Sequence, residues 1–499
     1  MSPKRTLAAL ATVLFLASGI AARADLGFSE TKLRGHEQIP TAYLGSAIAL
    51  SGDTVLVGAW GEAHVFVREA GAWVHQARLT GDHGRDSHFG TSVALSGDTA
   101  VIGAYREGVG TAAGAVYVFS RHEGVWSREA KLTSRTSETL ELFGSSVAIA
   151  GDTLLVGVVG GDGAVSDSGT AEVFVRNAGT WTLQAQLSAP DGAQGDGFGQ
   201  DVALSGNRAL VGALRHDPRG IANAGAAYVF ARDGGEWHLE AQLTAADAAP
   251  TDRFGFAVAL DGSTAVVGAW FADFAAGRLD AGATYVFTRE GGAWTRQAKL
   301  VAPDPEPDDR FGHDVAVSGD RVAVGAWLED ARGDASGSVY LFRRQQETWT
   351  LQGKLVASDT VAQDRFGHAL AFQGDVLVAG AYGNSDEQFD SGSAYVFGLP
   401  LLRVVALPAQ QTVPPGGVAP VTILVRNLGG SRLRNVTVSV PAAPLCNAFL
   451  GTLFPGQRKR FVCPVAVGSE SFTLTVFATA TPVEGPPVTA TTEATVSVE

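Results

Sequence analysis

The chain has 499 residues, and its 51 acidic side chains outnumber its 37 basic ones, which gives a net charge of −14 at pH 7. A nucleic-acid backbone or an anionic membrane surface is a poor partner for such a chain. Apolar residues make up 45% and charged residues 18%, a balance that excludes wholesale disorder and coiled coil. The 62 glycines are about 12% of the 499 residues, compared with an average of ~7% in proteins. This excess indicates many turns between short strands.

The first residues have the pattern of an export signal. Lys4 and Arg5 precede a short apolar stretch, residues 6–21, and Ala22-Arg23-Ala24 fits the small-x-small rule for cleavage. We therefore predict a signal peptide over residues 1–24 and a secreted, cell-surface or periplasmic protein. Since no later stretch approaches ~18 consecutive apolar residues, we expect no membrane insertion.

One sequence unit recurs seven times between residues 40 and 397. The glycine of its Phe-Gly block falls at Gly45, Gly90, Gly144, Gly199, Gly255, Gly312 and Gly367. In the second unit we predict four strands, A to D, at residues 93–95, 99–104, 114–119 and 126–132. A tight Ser-Gly-Asp turn joins strands A and B. Small and β-branched residues between glycine turns, without a helical period, indicate an all-β meander.

A four-stranded unit of this length cannot bury both of its faces alone, and stacking the units around an axis as a β-propeller solves this problem. The seventh unit lacks strand D, and residues 30–33 (Glu-Thr-Lys-Leu) match the strand D pattern of residues 129–132. We therefore predict a seven-bladed β-propeller over residues 25–398 that is closed by its N-terminal strand.

The Phe-Gly block followed by VALSGD and GA resembles the FG-GAP repeat, the unit of the integrin α-chain head and of many exported bacterial proteins. The resemblance covers residues 28–397 and implies a ligand-binding or adhesion role. Integrin heads bind calcium in long A–B loops, whereas this chain has only Ser-Gly-Asp there, too few oxygens for calcium. We therefore expect no metal, although the Asp-rich B–C loops leave weak calcium binding open.

The connections from D to A and from B to C are long and variable, and they meet at one end of the propeller, where binding usually occurs. Five units place an aromatic residue there, directly after the Gly-Ala of strand B. These candidate ligand-binding residues are Trp60, Tyr105, Trp270, Trp327 and Tyr382. They form either exposed anchors for a partner or packing between blades. If they are anchors, replacing Trp60 and Trp270 should weaken binding without loss of stability.

Two further features mark this end. Aspartates five residues apart precede Phe-Gly in four units, and they either cap loop amides or form an acidic rim. These pairs are Asp191/Asp196, Asp247/Asp252, Asp304/Asp309 and Asp359/Asp364, and Arg253, Arg310 and Arg365 follow three of them. The first unit has only Trp60 between Gly-Ala and the next glycine, which predicts a notch floored by Trp60.

No sequence motif indicates catalysis or a cofactor. The chain has no HExxH, P-loop, GxSxG elbow or strand-borne GxGxxG, and its carboxylates recur from unit to unit, whereas a catalytic pair should break the repeat. We therefore predict no catalytic residue, no cofactor and no enzymatic activity.

Residues 401–499 form a separate module of short alternating runs that predicts an Ig-like β-sandwich. Cys446 and Cys463 are the two cysteines of the chain. In an exported protein they predict one disulfide, which stabilises by ~3 kcal/mol in the chain-entropy model.

The sequence leaves three hypotheses for the function open. The first is an exported, non-enzymatic binding or adhesion protein, a monomer whose loop end contacts an extracellular protein or glycan. The second is a structural scaffold of a cell-envelope assembly, and the third is an enzyme acting on extracellular polymers. Adhesion rests on the family resemblance, because a fold alone does not establish a function.

Overall fold

The computed structural model describes residues 29–35, 40–108, 111–136, 139–273, 279–386, 388–399, 402–427, 432–454, 456–482 and 488–498. The predicted signal peptide, residues 1–24, lies outside the described residues. Seven four-stranded antiparallel sheets follow one another from residue 47 to residue 398, each in the order A-B-C-D. The first strand in the chain, β1 (Ser29–Leu33), precedes them.

The first four sheets share one strand plan. The first contains β2 (Ala47–Ser51), β3 (Thr54–Ala59), β4 (Glu62–Glu69) and β5 (Ala72–Thr80). The second contains β6 (Phe89–Ser96), β7 (Thr99–Ala104), β8 (Ala115–His122) and β9 (Val125–Leu132). The third contains β10 (Phe143–Ala150), β11 (Thr153–Val158), β12 (Thr170–Asn177) and β13 (Thr180–Leu187). The fourth contains β14 (Phe198–Ser205), β15 (Arg208–Ala213), β16 (Ala226–Asp233) and β17 (Glu236–Leu243).

The last three sheets continue the plan. The fifth contains β18 (Val258–Asp261), β19 (Thr264–Ala269), β20 (Ala283–Glu290) and β21 (Ala293–Leu300). The sixth contains β22 (Val315–Ser318), β23 (Arg321–Ala326), β24 (Ser338–Gln345) and β25 (Thr348–Leu355). The seventh contains β26 (Phe366–Gln373), β27 (Val376–Ala381), β28 (Ser393–Gly398) and, as its fourth strand, β1. Short 3₁₀ helices lie at Gly84–Ser87, Pro218–Gly220 and Pro444–Cys446.

Strand A of the second unit is longer than its sequence pattern predicts. It begins at Phe89, which pairs with Ala104 at the end of strand B, and the register shifts between Phe89 and Ser92. Phe89 is fully buried and meets Tyr117 of strand C edge to face at 5.3 Å between ring centroids. The Phe-Gly block is therefore part of the sheet, and its bulge turns the phenylalanine into the core.

The N-terminal strand pairs antiparallel with β28, with Lys32 opposite Tyr395. This is the register that Lys131 and Tyr117 have between strands D and C of the second sheet. Lys32 also donates to Asp359 at 2.8 Å. The residues that the sequence assigned to strand D thus occupy that place in the seventh sheet.

Neighbouring sheets approach each other through glycine. At Gly268 of strand B, an added Cβ would overlap the carbonyl oxygen of Gly312 in the next sheet. Each sheet makes the same contact with the next, and a Cβ at Gly380 of the seventh sheet would overlap the carbonyl oxygen of Gly45 in the first. Because the obstructing atom is backbone, a side chain at these positions cannot be accommodated by a rotamer change.

The A–B turns are linked in a second series of contacts. The turn amide of Gly97 donates to Ser51 Oγ of the preceding sheet at 2.9 Å, and that of Gly374 donates to Ser318 Oγ at 2.9 Å. Gly52 of the first sheet donates to Gln373 Oε1 of the seventh at 2.7 Å. The serine of the Ser-Gly-Asp turn thus accepts a hydrogen bond from the turn glycine of the following sheet.

The strand D tryptophans link the outer strands of neighbouring sheets. Trp126 Nε1 donates to Gln76 at 2.8 Å, and Trp181 Nε1 donates to Glu129 at 3.0 Å. The guanidinium of Arg121 lies 5.1 Å from the centroid of Trp126, a favourable cation–π contact. These tryptophans are therefore packing residues.

The C-terminal module consists of two sheets that share one core. One sheet contains β29 (Leu402–Leu407), β31 (Val418–Asn427) and β34 (Arg458–Ala466). The other contains β30 (Gln410–Val413), β36 (Val488–Val498), β35 (Phe472–Pro482), β32 (Leu433–Ser439) and β33 (Ala448–Leu453). The predicted disulfide between Cys446 and Cys463 is present and buried in this core.

We predict that Gly268→Ala destabilises the protein by roughly 3 kcal/mol, since overpacking against backbone leaves little room to relax. Gly262→Asn is the matched control in the same sheet. Gly262 has a φ of +57° with no atom within 4 Å of an added Cβ, and asparagine tolerates this conformation. Thermal unfolding of both variants tests the contact, and equal melting temperatures would contradict it.

Candidate functional site

The candidate aromatic residues lie in one cluster at the loop end of the sheets. A path of ring contacts, with centroids 4.4–5.9 Å apart, joins Tyr105, His88, Trp60, Tyr43, Tyr382, His368, His313, Trp270 and Phe256. Trp327 contacts His313, His368 and Tyr382. We call these ten residues the aromatic belt. All five aromatic residues selected from the sequence belong to it.

The belt is asymmetric because its members come from five of the seven units. The third and fourth units have Val159 and Leu214 where the others have an aromatic residue. Tyr43, His88, Phe256, His313 and His368 were not selected from the sequence. They flank the Phe-Gly glycine, where the residue type changes from unit to unit, and this variation was the available signal.

Trp60 and Trp270 have different surroundings although they occupy the same repeat position. Trp60 is 37% exposed, and its Nε1 donates to His88 Nδ1 at 3.2 Å. Trp270 is half-buried between Phe256 at 4.5 Å and Phe271 at 4.4 Å. The guanidinium of Arg310 lies 5.4 Å from its centroid. Trp60 is therefore available to a partner, while Trp270 is held in packing.

A cavity of about 290 Å³ opens where the first, second and seventh units meet. Its lining comprises Tyr43, Ser46, Trp60, Thr91, Arg365, His368 and Tyr382. Arg365 lies between Trp327 and Tyr382, at 5.6 and 5.1 Å from their ring centroids, and donates to the Tyr382 hydroxyl at 2.7 Å. Burial lowers the pKa of His368 to about 4, so this imidazole is neutral at physiological pH.

Several polar atoms in and beside this cavity are buried without a hydrogen-bond partner. They are Arg365 Nε, His368 Nδ1 and Trp327 Nε1. Burying a polar group without a hydrogen bond is costly. A bound ligand with both acceptors and donors would satisfy these atoms.

The three arginines that precede Phe-Gly differ in their ion pairs. Arg310 pairs with Asp280 at 3.0 Å and with Asp308 at 2.6 Å. No ion pair joins Arg365 to a carboxylate anywhere in the described ranges. Arg310 is therefore paired with carboxylates of neighbouring loops, whereas Arg365 forms no such pair within the described residues.

The paired aspartates stabilise their own loops. Asp309 Oδ2 accepts from the Glu306 amide at 2.8 Å, and the same bond recurs at Asp196, Asp252 and Asp364. The first aspartate of the pair accepts from a strand C tyrosine, as Asp304 does from Tyr340 at 2.9 Å. These bonds favour the loop-capping interpretation over a free acidic rim.

The notch expected above Trp60 is partly filled. The Arg85 side chain, from the 3₁₀ helix Gly84–Ser87, packs against Gly61. It donates to Thr41 Oγ1 at 3.1 Å and to the Pro40 carbonyl at 3.2 Å. The space left by the short B–C loop of the first unit is thus occupied by the D–A loop that leads into the second unit.

Two carboxylates break the repeat, contrary to the expectation that none would. Asp201 and Asp314 stand two residues after Phe-Gly, where the other units have alanine or serine. Each accepts backbone amides through both oxygens, Asp201 from Val202 and Val258 and Asp314 from Val315 and Leu370. Burial raises the pKa of Asp201 to about 6, and burial together with the charge of Asp201 raises that of Asp314 to about 8.

The fourth unit has a second exception, His216. Its Nδ1 lies 2.8 Å from Asp196 and its Nε2 lies 3.4 Å from Asp191, at a cavity of about 400 Å³. Over the residues described, no group of three or more His, Cys, Asp or Glu side chains is arranged to hold a metal ion. Among the same residues, none of the helices has the length and apolar character needed to cross a bilayer.

Repeated four-stranded antiparallel sheets of this kind fit a β-propeller. The chain belongs to the FG-GAP repeat family, which matches residues 73–119, 126–174, 181–230, 237–287, 294–342 and 349–397, more than half of its length. No curated protein matches the chain. A chain in a solved structure titled "Crystal Structure of Mitotic Checkpoint Complex" is similar over 79% of this chain and 98% of its own, at 15% identity and a TM-score of 0.48. This likeness is too weak to carry a conclusion.

We predict that the stability of the protein falls as the pH rises from about 6.5 to about 8.5. An unfolded aspartate has a pKa of ~3.9, so in this window the folded state binds more protons than the unfolded state through Asp309, whose pKa burial raises to about 7, and Asp314. Burial lowers the pKa of His313 and His368 below their usual value of ~6.5. These histidines therefore add a smaller slope of opposite sign near pH 6.5, which fades as their unfolded forms lose their protons above about pH 7.5.

Asp314→Asn should flatten this fall, because the variant has no proton to lose at that position. Calorimetric melting at both pH values measures the slope for the two proteins. The slope rather than the absolute stability is compared, since asparagine cannot accept both backbone amides. A wild-type melting temperature that is constant or rises across the window would contradict the assignment.

Proposed function

We propose that the protein is an exported, non-enzymatic binding or adhesion protein that contacts an extracellular protein or glycan through the aromatic belt. The single observation that carries this proposal is the cavity beside Trp60, where exposed aromatic surface and unpartnered polar atoms coincide. Tryptophan, tyrosine and arginine are the residues most enriched at binding hot spots. Membership of the FG-GAP family supports the same class of function.

The proposal includes a closed ring of seven blades. Three contacts between the seventh and first sheets support closure: the glycines Gly380 and Gly45, the turn hydrogen bond from Gly52 to Gln373, and the bridge between Leu44 and Gly392. The pairing of β1 with β28 supports a seventh blade formed from both ends of the propeller region. A closed ring would hold the belt as a rigid surface, which limits the entropy lost on binding.

We also propose that the C-terminal module is an Ig-like domain that serves as a spacer or second contact. Two sheets around one core and the disulfide support a sandwich. Disulfides persist in oxidising compartments, so the bond between Cys446 and Cys463 supports export. The non-enzymatic part of the proposal is supported by Asp201 and Asp314, whose oxygens already accept backbone amides. His216, at the cavity of about 400 Å³, is the remaining acid–base candidate, and the degradation assay below tests it.

We expect Trp60→Ala to abolish or strongly weaken binding while changing stability by no more than about 1 kcal/mol, as for other exposed positions. Trp270→Ala is the matched control, since it removes the same side chain at the same repeat position. Because Trp270 is packed and does not line the cavity beside Trp60, its loss should cost roughly 3 kcal/mol and leave binding at that cavity unchanged. The full chain and both variants are compared by melting and by binding to an array of extracellular proteins and glycans.

The two variants separate a binding site from packing. Unchanged binding by Trp60→Ala to every ligand that the wild-type protein retains would refute the proposed site. A large loss of stability in Trp60→Ala would assign this side chain to packing instead. Retention of envelope components alone would favour the scaffold hypothesis, and degradation of an extracellular polymer by the wild-type protein would overturn the non-enzymatic proposal.

A further inference from the structure

We propose that the cavity beside Trp60 binds a carboxylate-bearing sugar, such as a uronic or sialic acid unit of an acidic glycan, through Arg365. This inference rests on the proposed binding function and specifies the ligand of that same site. It is drawn from the cation, the polar atoms and the aromatic surfaces that line the cavity.

The first step is the charge. The chain is acidic overall, with a net charge of −14, yet the cavity contains an arginine that forms no ion pair with a carboxylate within the described part of the chain. Arg365 donates one hydrogen bond to the Tyr382 hydroxyl, and its buried Nε has no partner. A planar guanidinium with free donors matches a carboxylate. Arg310, at the same repeat position, already has Asp280 and Asp308.

The second step is the set of neutral polar groups. His368 is neutral, and its Nδ1 is buried without a partner. A hydrogen bond between this imidazole and the Ser46 backbone acts against the effect of burial on the pKa, and the unpartnered Nδ1 accepts or donates according to the tautomer. Ser46 and Thr91 also line the cavity. Their hydroxyls donate to the carbonyls of Gly58 at 3.5 Å and His88 at 2.9 Å, so towards a ligand they act as acceptors. A ligand must therefore donate as well as accept, and a sugar ring carries hydroxyls that do both.

The third step is the size and surface of the cavity. A volume of about 290 Å³ lies at the small end of ligand sites, which run from ~300 to 1,000 Å³, and suits one sugar unit of a longer chain. Tyr43, Trp60 and Tyr382 supply aromatic surface beside the polar groups. An acidic peptide would satisfy Arg365 and could donate only through its backbone amides, whereas a sugar acid carries several hydroxyl donors beside its carboxylate, so the sugar is the better match.

The experiment uses the full chain and oligogalacturonate as the probe, with its methyl ester as the matched neutral probe. The wild-type protein should bind the acid at least about tenfold more tightly than the ester, because a hydrogen bond to a charged group contributes ~1.5–3 kcal/mol and ~1.4 kcal/mol is tenfold. The preference should weaken as salt is added. Sialyllactose against lactose, and a sulfated oligosaccharide, complete the set of probes.

Three variants connect the preference to Arg365. Arg365→Gln should bind acid and ester alike, Arg365→Lys should keep part of the preference, and Arg310→Gln should keep all of it. Melting temperatures confirm that each variant is folded, and Arg365→Lys provides the test if Arg365→Gln does not fold. Equal wild-type affinity for acid and ester, retention of the preference in Arg365→Gln, or tighter binding of the sulfated sugar than of both carboxylated sugars would overturn the inference.

The outcomes also separate this inference from the proposed function. If a neutral glycan or a protein binds and Trp60→Ala abolishes that binding, the proposed function holds and the acidic-sugar inference fails. If Trp60→Ala changes no interaction of the protein, both fail.

Discussion

Close contact between the backbones of neighbouring sheets is the constraint on which the rest of this structure depends. At Gly268 and its equivalents, the strand B backbone lies against the carbonyl of the Phe-Gly glycine in the next sheet, with no space for a Cβ. A protein interior is packed as densely as an organic crystal, so this contact leaves no space for a side chain between the two backbones. The contact from Gly380 to Gly45 obeys the same rule. The two glycines of each unit therefore fix how the sheets stack.

A repeated backbone with variable side chains at one end produces an asymmetric surface. The sheets hold the residues around each Phe-Gly glycine in equivalent places, and the aromatic belt forms where consecutive units carry rings there. The third and fourth units have Val159 and Leu214 instead, so the belt ends at their position. Arg310 pairs with Asp280 and Asp308, whereas Arg365 donates to the Tyr382 hydroxyl and forms no ion pair within the described residues. The side chains at this end of the sheets can thus change without any change in the scaffold.

Much of this architecture could be predicted from the repeat. The strand order, the turn positions and the pairing of residues 30–33 with the seventh unit follow from a sequence pattern that recurs from unit to unit, and the structure has this order and this pairing. The five aromatic residues could be selected for the same reason. Tyr43, His88 and His368 were not selected, because the residue type beside the Phe-Gly glycine changes from unit to unit and only the folded structure shows that their rings join one cluster. Arg85 fills the expected notch. Its contacts with Thr41 and Pro40 likewise depend on how two loops meet in the folded structure.

Local sequence was sufficient for features that repeat, since each unit carries the glycines, turns and buried phenylalanine that its own sheet requires. The environment of individual side chains came from the assembly of the units. Trp60 and Trp270 occupy one repeat position, yet Trp60 is exposed and Trp270 is packed between Phe256 and Phe271. Burial, and after it the charge of Asp201, raises the pKa of Asp314 although the two residues belong to different units. The physical reason is that burial, charge and contact are properties of neighbours in space, and the sequence specifies directly only neighbours along the chain.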